Sequence, residues 1–326
     1  MNETFRKRTG PASFFLRNSW IFTEVLNITE LALALWVFVA LLMHSIRNNK
    51  VNRRDKKTAT MFTLAILCPL TLMLRLLVTQ ALVIIERLFS LGGGGSLVCE
   101  VVIDASVIMF SVSMSPVYYF LWHQQRVLYA QPSLNHLNDR LVKFLSWTFV
   151  IVFTIGGGVP ALLHTIPRSY RMSELGCVRW PEGSDSFVAN HMTAVTLVVT
   201  QLILLALFCY PLRLHNLKRN KTKKEASSSA KKACSNNNST EERVIRAMRK
   251  AMVSTAVCVI SDVFTLFMIT VVIKRAPLHL SRSAYDLNLT VKSMSVLFCF
   301  DGWRKIVFPP WLPCRPREPV SDRVTS

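Results

Sequence analysis

Four ionisable residues stand where charge is costly. Arg75 lies in CPLTLMLRLLVTQ, Asp104 in EVVIDASVIMF, Asp262 in VCVISDVFTLF and Lys292 in LTVKSMSVLFCF. A charged side chain at the centre of a membrane helix costs roughly 2.5 to 3.5 kcal/mol, so such groups face a bundle interior or a wet cavity and pair. One chemistry that suits them is a polar ligand pocket open to the outer side. The plainer alternative is a set of structural ion pairs, or two long basic side chains reaching for the headgroups. Arg75 falls in the outer third of its stretch, and Asp104 about one and a half turns below Cys99. They are therefore expected at one depth, facing each other. Lys292 belongs to the outer half of its stretch and Asp262 to the middle. Catalysis finds no footing: the seven His occur singly, without HxxxH or GxSxG, so no enzyme is expected. The eight Cys form no CxxC, so neither zinc nor any cofactor is implied.

The elements that must hold these residues are apolar. Hydrophobic residues make up 51% of the 326 and charged residues 18%, against about 25% in an ordinary soluble domain. The net charge is nonetheless +20. Apolar stretches in lipid, with basic loops against anionic headgroups, reconcile the two. Seven stretches have the length to span, at 24–46, 58–85, 99–122, 144–164, 191–212, 251–273 and 285–306. The expectation is an all-α membrane protein: a seven-transmembrane helix bundle, multi-pass in the plasma membrane, partnered by the lipid bilayer and by no nucleic acid. Residues 1–23 and 307–326 form the termini, and 213–250 a lysine-rich, Ser/Asn-rich loop expected to be disordered at its centre. With the N-terminus outside and the C-terminus inside, 26 Lys and Arg fall on the inner side and 11 on the outer, which selects that orientation. Asn2-Glu3-Thr4 and Asn27-Ile28-Thr29 then read as glycosylation acceptors at Asn2 and Asn27.

The third stretch opens on Cys99 and ends in a polar, basic segment. That arrangement, within seven spans, resembles the rhodopsin-like G-protein-coupled receptors. Cys177, between the fourth and fifth spans, strengthens the resemblance, which implies a bridge to Cys99 on the oxidising side. Trp147 with Pro160 looks like the family's fourth helix, Tyr210 like its fifth-helix tyrosine, and Cys314 like a lipidated cysteine after a short eighth helix. The family implies an unknown extracellular ligand and a heterotrimeric G protein, met at the cytoplasmic ends by Gln124, Arg126, Tyr210 and Arg246. The departures are many. His123-Gln124-Gln125 stands for Asp-Arg-Tyr, Cys68 for the sodium-binding Asp, and VCVISDVFTLF for Cys-Trp-x-Pro. Phe300-Asp301-Gly302-Trp303 is the nearest remnant of Asn-Pro-x-x-Tyr. Ser106 occupies the amine-binding Asp position, and Lys292 lies nine residues before Asp301 where an opsin lysine would lie six before the motif Asn. A receptor with degenerate activation motifs is the reading, with a transporter or channel-like protein as the alternative. An epitope at Asn2 should be reached by antibody on intact cells and one near Cys234 only after permeabilisation; the reverse pattern would invert the topology.

Overall fold

The computed structural model describes residues 11–49, 56–91, 96–130, 140–164, 170–173, 176–179, 195–211, 213, 237–268, 278–300 and 303–307. Asn2, Cys314 and most of the loop 213–250 lie outside them. Eight helices occur among the described residues: α1 Pro11–Asn49, α2 Lys56–Leu91, α3 Ser96–Tyr129, α4 Arg140–His164, α5 Val195–Pro211, α6 Asn237–Phe267, α7 Leu278–Phe298 and α8 Trp303–Val307. Two short strands, β1 Tyr170–Ser173 and β2 Gly176–Arg179, pair antiparallel with Met172 opposite Cys177.

Four helices are long and apolar enough to cross a membrane, over Ile21–Ile46, Ala59–Glu86, Leu97–Tyr129 and Ile245–Phe267. Their outward faces carry large apolar side chains, among them Trp36, Leu77, Val101 and Phe264, each about half exposed. Their inward faces carry Arg75, Glu86, Gln124 and Asp262, all buried. That is the reverse of a water-soluble domain, where continuous exposed apolar surface is rare. It suits a chain embedded in lipid. Hydroxyls within the helices satisfy themselves on their own backbone: Thr71 donates to the Leu67 carbonyl (2.9 Å), Ser106 to Val102 (2.8 Å) and Thr290 to Asp286 (3.0 Å). In a dry environment this back-bonding removes the cost of an unpaired donor.

α3 and α7 are the axial elements. α3 touches α2, α4, α6, α7 and β1, while α7 touches α1, α2, α3, α6 and β2. α7 is the most enclosed helix and also one of the least apolar. His279, Arg282, Ser283, Asp286, Asn288, Thr290, Lys292, Ser293 and Ser295 are all buried on it. This corrects the expected last span of 285–306. The helix starts seven residues earlier, because Arg282 is a packed interior group rather than a loop charge. It stops at Phe298, where the Cys299 and Phe300 amides donate to the Val296 and Leu297 carbonyls at 3.2 and 3.1 Å. Such tightened i→i−3 bonds end helices, and residues 303–307 form the separate α8. Two starts also lie earlier than expected: α1 begins at Pro11, a residue suited to a first helical turn, and α6 at Asn237.

The Cys99–Cys177 disulfide is present, with Cα atoms 5.6 Å apart, and fastens β2 to the start of α3. On the far side of the bundle, α4 and α5 meet without room to spare. A methyl group at Gly156 would strike the Thr196 side chain. Gly156→Val should therefore splay α4 from α5 and destabilise the protein by about 1 to 3 kcal/mol, the usual range for overpacking. Thermal unfolding in detergent measures this. Unchanged stability would mean the two helices do not meet there.

Candidate functional site

α7 turns a row of ionisable side chains into the bundle. Arg282, Asp286 and Lys292 span ten residues, about 15 Å along the axis at 1.5 Å per residue. Each has an opposite charge on a neighbouring helix. The Arg282 Nη1 donates to Glu86 Oε2 of α2 at 3.0 Å, Asp286 accepts from the Arg75 guanidinium of α2, and Lys292 meets Asp262 of α6 at 2.6 Å. Asp286 and Lys292 are both fully buried.

The Lys292–Asp262 pair is the centre of a closed network. Lys292 Nζ donates to Asp262 Oδ2 at 2.7 Å and to the Tyr118 hydroxyl at 3.3 Å. Tyr118 in turn donates to Asp262 Oδ2 (3.1 Å) and accepts from Gln201 Nε2 of α5 (2.9 Å). Asn288 Nδ2 donates to Asp262 Oδ1 at 2.6 Å, and Ser261 Oγ to Asn288 Oδ1 at 2.6 Å. One carboxylate thus takes one donor from α3 and two from α7. The Tyr118 ring packs on Phe153 of α4, with centroids 4.7 Å apart, so all of α3 to α7 meet at this point. One turn on, Ser254 donates to the Ser295 carbonyl and continues the polar seam between α6 and α7.

The second centre joins α2 to α7. Besides Asp286, Arg75 donates to the backbone carbonyl of Ser106 at 3.0 Å and lies over the Phe110 ring, 5.0 Å from its centroid. The expected partner Asp104 is half-buried on α3, and the carboxylate that meets Arg75 is that of Asp286. α3 turns Val102, Ser106 and Phe110 toward α2, and Asp104, two residues from Ser106, projects about 200° away. The third centre holds the two-stranded sheet. The Cys177 amide donates to Glu86 Oε1 at 2.5 Å, so the carboxylate that holds Arg282 also holds β2.

Of the four expected site residues, Asp262 and Lys292 come together, Arg75 belongs to a separate centre, and Asp104 joins neither. Asp286, Glu86, Arg282, Tyr118, Gln201, Asn288 and Glu30 are the polar residues the sequence reading missed. A signal for some of them exists: His279, Arg282, Ser283, Asp286, Thr290 and Ser293 follow i, i+3, i+4, i+7 spacing and mark one polar face of α7. Asn27, expected as a glycosylation acceptor, is buried in α1, where a glycan would have no room. Arg126 is exposed and lies over the Trp122 and Trp147 rings, at 5.1 and 5.8 Å, on the α3–α4 face. Gln124 is buried, whereas Tyr210 and Arg246 are exposed. No family model matches the chain, and no curated protein matches it.

Removing one partner of a buried pair is expected to cost about 3 to 5 kcal/mol, and removing both far less. Lys292→Met leaves Asp262 with two donors, Tyr118 and Asn288. Asp262→Leu leaves a buried ammonium with a hydroxyl and a thioether, so it should be the more damaging of the two. The double variant should recover most of the loss. In a parallel cycle, Arg75→Gln and Asp286→Asn should couple, and Arg75→Gln and Asp104→Asn should add. Detergent thermostability reads both cycles, and additivity in the first of them would deny the Lys292–Asp262 pair.

Proposed function

We propose that this chain is a divergent rhodopsin-like receptor of the plasma membrane, with α1 to α7 as its spans, the N-terminus outside and the C-terminus inside. An extracellular ligand shifts α6 against α3 and α7, and the cytoplasmic ends of α3, α5 and α6 pass the shift to a heterotrimeric G protein. The observation that carries this reading is the Lys292–Asp262–Tyr118 network. It is the polar tie of α6 to its neighbours, and it stands in a chain that lacks the family's usual switch motifs. A buried pair of this kind has two discrete arrangements, joined or parted, which is what a two-state element requires.

Three further features support it. The disulfide joins the start of α3 to the hairpin, and disulfides belong on the oxidising side of a membrane. The excess of Lys and Arg in the loops after the first, third and fifth spans agrees with that orientation. α6 carries the exposed Arg246 and Arg249 on its first half, a basic face suited to an acidic partner helix.

The test is guanine-nucleotide exchange in membranes supplied with heterotrimeric G proteins. Membranes bearing the protein should exceed mock membranes. Lys292→Met, which removes the ion pair between α6 and α7 while leaving Asp262 two donors, should raise basal exchange several-fold. A substrate-dependent current or uptake without exchange would favour the transporter or channel reading instead.

A further inference from the structure

α1 packs on both α7 and α8, but the fit between the three helices is incomplete. A groove of about 540 Å³ opens there. Buried Val37, Leu297 and Val307 form its floor, and Leu33, Trp36 and Phe298, each 44 to 47% exposed, form its rim. The volume lies within the roughly 300 to 1,000 Å³ of ligand sites. The lining is almost wholly apolar, so a guest inside it is hydrocarbon; a hydroxyl or a charge buried there would lose its water without gaining a partner.

The polar contact stands at the edge. α8 is amphipathic, with Ile306 and Val307 buried on the bundle and Arg304 exposed. Trp303 of α8 lines the groove, its ring edge-on to that of Phe298 with centroids 4.7 Å apart. The Arg304 guanidinium lies 5.7 Å from the centre of the same Trp303 ring. Among the described residues Arg304 forms no ion pair. Tryptophan and arginine at the end of a bundle belong at the level of the lipid headgroups. The occupant must therefore join hydrocarbon to negative charge. A sterol supplies the first without the second, and a free anion the second without the first.

We propose that the groove between α1, α7 and α8 binds an anionic phospholipid, with an acyl chain against Val37 and Leu297 and the headgroup against Arg304. The guanidinium offers a fork of N–H donors that matches a phosphate. One basic residue beside an anionic headgroup favours it over a neutral one by about five-fold. The site rests on the chain being embedded in lipid and not on the receptor reading, and its test involves no signalling.

Full-length protein in dodecylmaltoside is photolabelled with a trace of phosphatidylserine that carries a diazirine in its acyl chain, and the adducts are mapped on peptides. They should concentrate on residues 33–37 and 294–298 and spare the exposed apolar face of α4 at Phe144 and Ile151. Unlabelled phosphatidylserine should displace the probe at about five-fold lower concentration than phosphatidylcholine with the same chains. Arg304→Gln should erase that preference while the adducts stay in place. Leu33→Trp, which narrows the groove from its rim, should lower their yield several-fold; if it does not fold, the exposed change Arg304→Gln decides. Cys314→Ser should alter nothing. Adducts spread equally over α4 would overturn the site, as would a preference that survives Arg304→Gln. Displacement by cholesterol at the concentration that suffices for phosphatidylserine would make it a sterol site instead. A rise in yield with Cys314→Ser would mean that an acyl chain on the protein's own tail fills the groove.

Discussion

The interior of this protein is governed by the cost of burying charge where no water can solvate it. Each ionised group inside the bundle must be answered by another protein group, and α7 is where the answers are collected. It supplies one member of the ion pairs with Glu86, Arg75 and Asp262, and so ties α2 and α6 to itself. Through Glu86 it also reaches the hairpin, because the same carboxylate accepts the Cys177 amide. A helix this polar has no stable place on a lipid-facing surface. It must be enclosed, and the apolar helices form the enclosure.

The two polar regions along α7 differ in completeness. Around Asp262 the charges are matched, and the three donors come from α3 and α7, which rigidifies the contact of α6 with both. Where α1, α2 and α7 meet, unpartnered acceptors on Glu30, Asn27 and Asp286 stand with unpartnered donors on Gln80 and Arg282. The same helix therefore carries a matched ion pair near its middle and unpartnered polar groups toward the end covered by the disulfide-anchored hairpin.

The two-stranded sheet shows how covalent and electrostatic restraints divide the work. The disulfide holds Cys177 to α3, and Glu86 fixes the neighbouring backbone to α2 and α7. The register of β1 on β2 sets Met172 across from Cys177, so the hairpin is held at its paired centre. At the other end of the bundle Arg126 is stacked on two tryptophans rather than presented to the interior, which places it on the α3–α4 face and separates it from Gln124 beside the core.

Composition and hydropathy by themselves determined that the chain is helical and lipid-embedded, because twenty apolar residues in a row have no other economical fate. They also marked Asp262 and Lys292 as interior charges, while the Cys99–Cys177 bridge was implied by the family resemblance. What hydropathy misjudged was α7, whose polar residues lowered its apparent suitability for the interior and shifted its expected bounds. Partner choice was not legible at all. Arg75 and Asp104 share a depth, but depth is a property of one helix, whereas pairing depends on the rotation of two. Only the packed bundle decided that Arg75 meets Asp286, that Tyr118 and Asn288 join Asp262, and that Glu30 is left unanswered, because a helix can be turned about its axis without changing a single residue of its sequence.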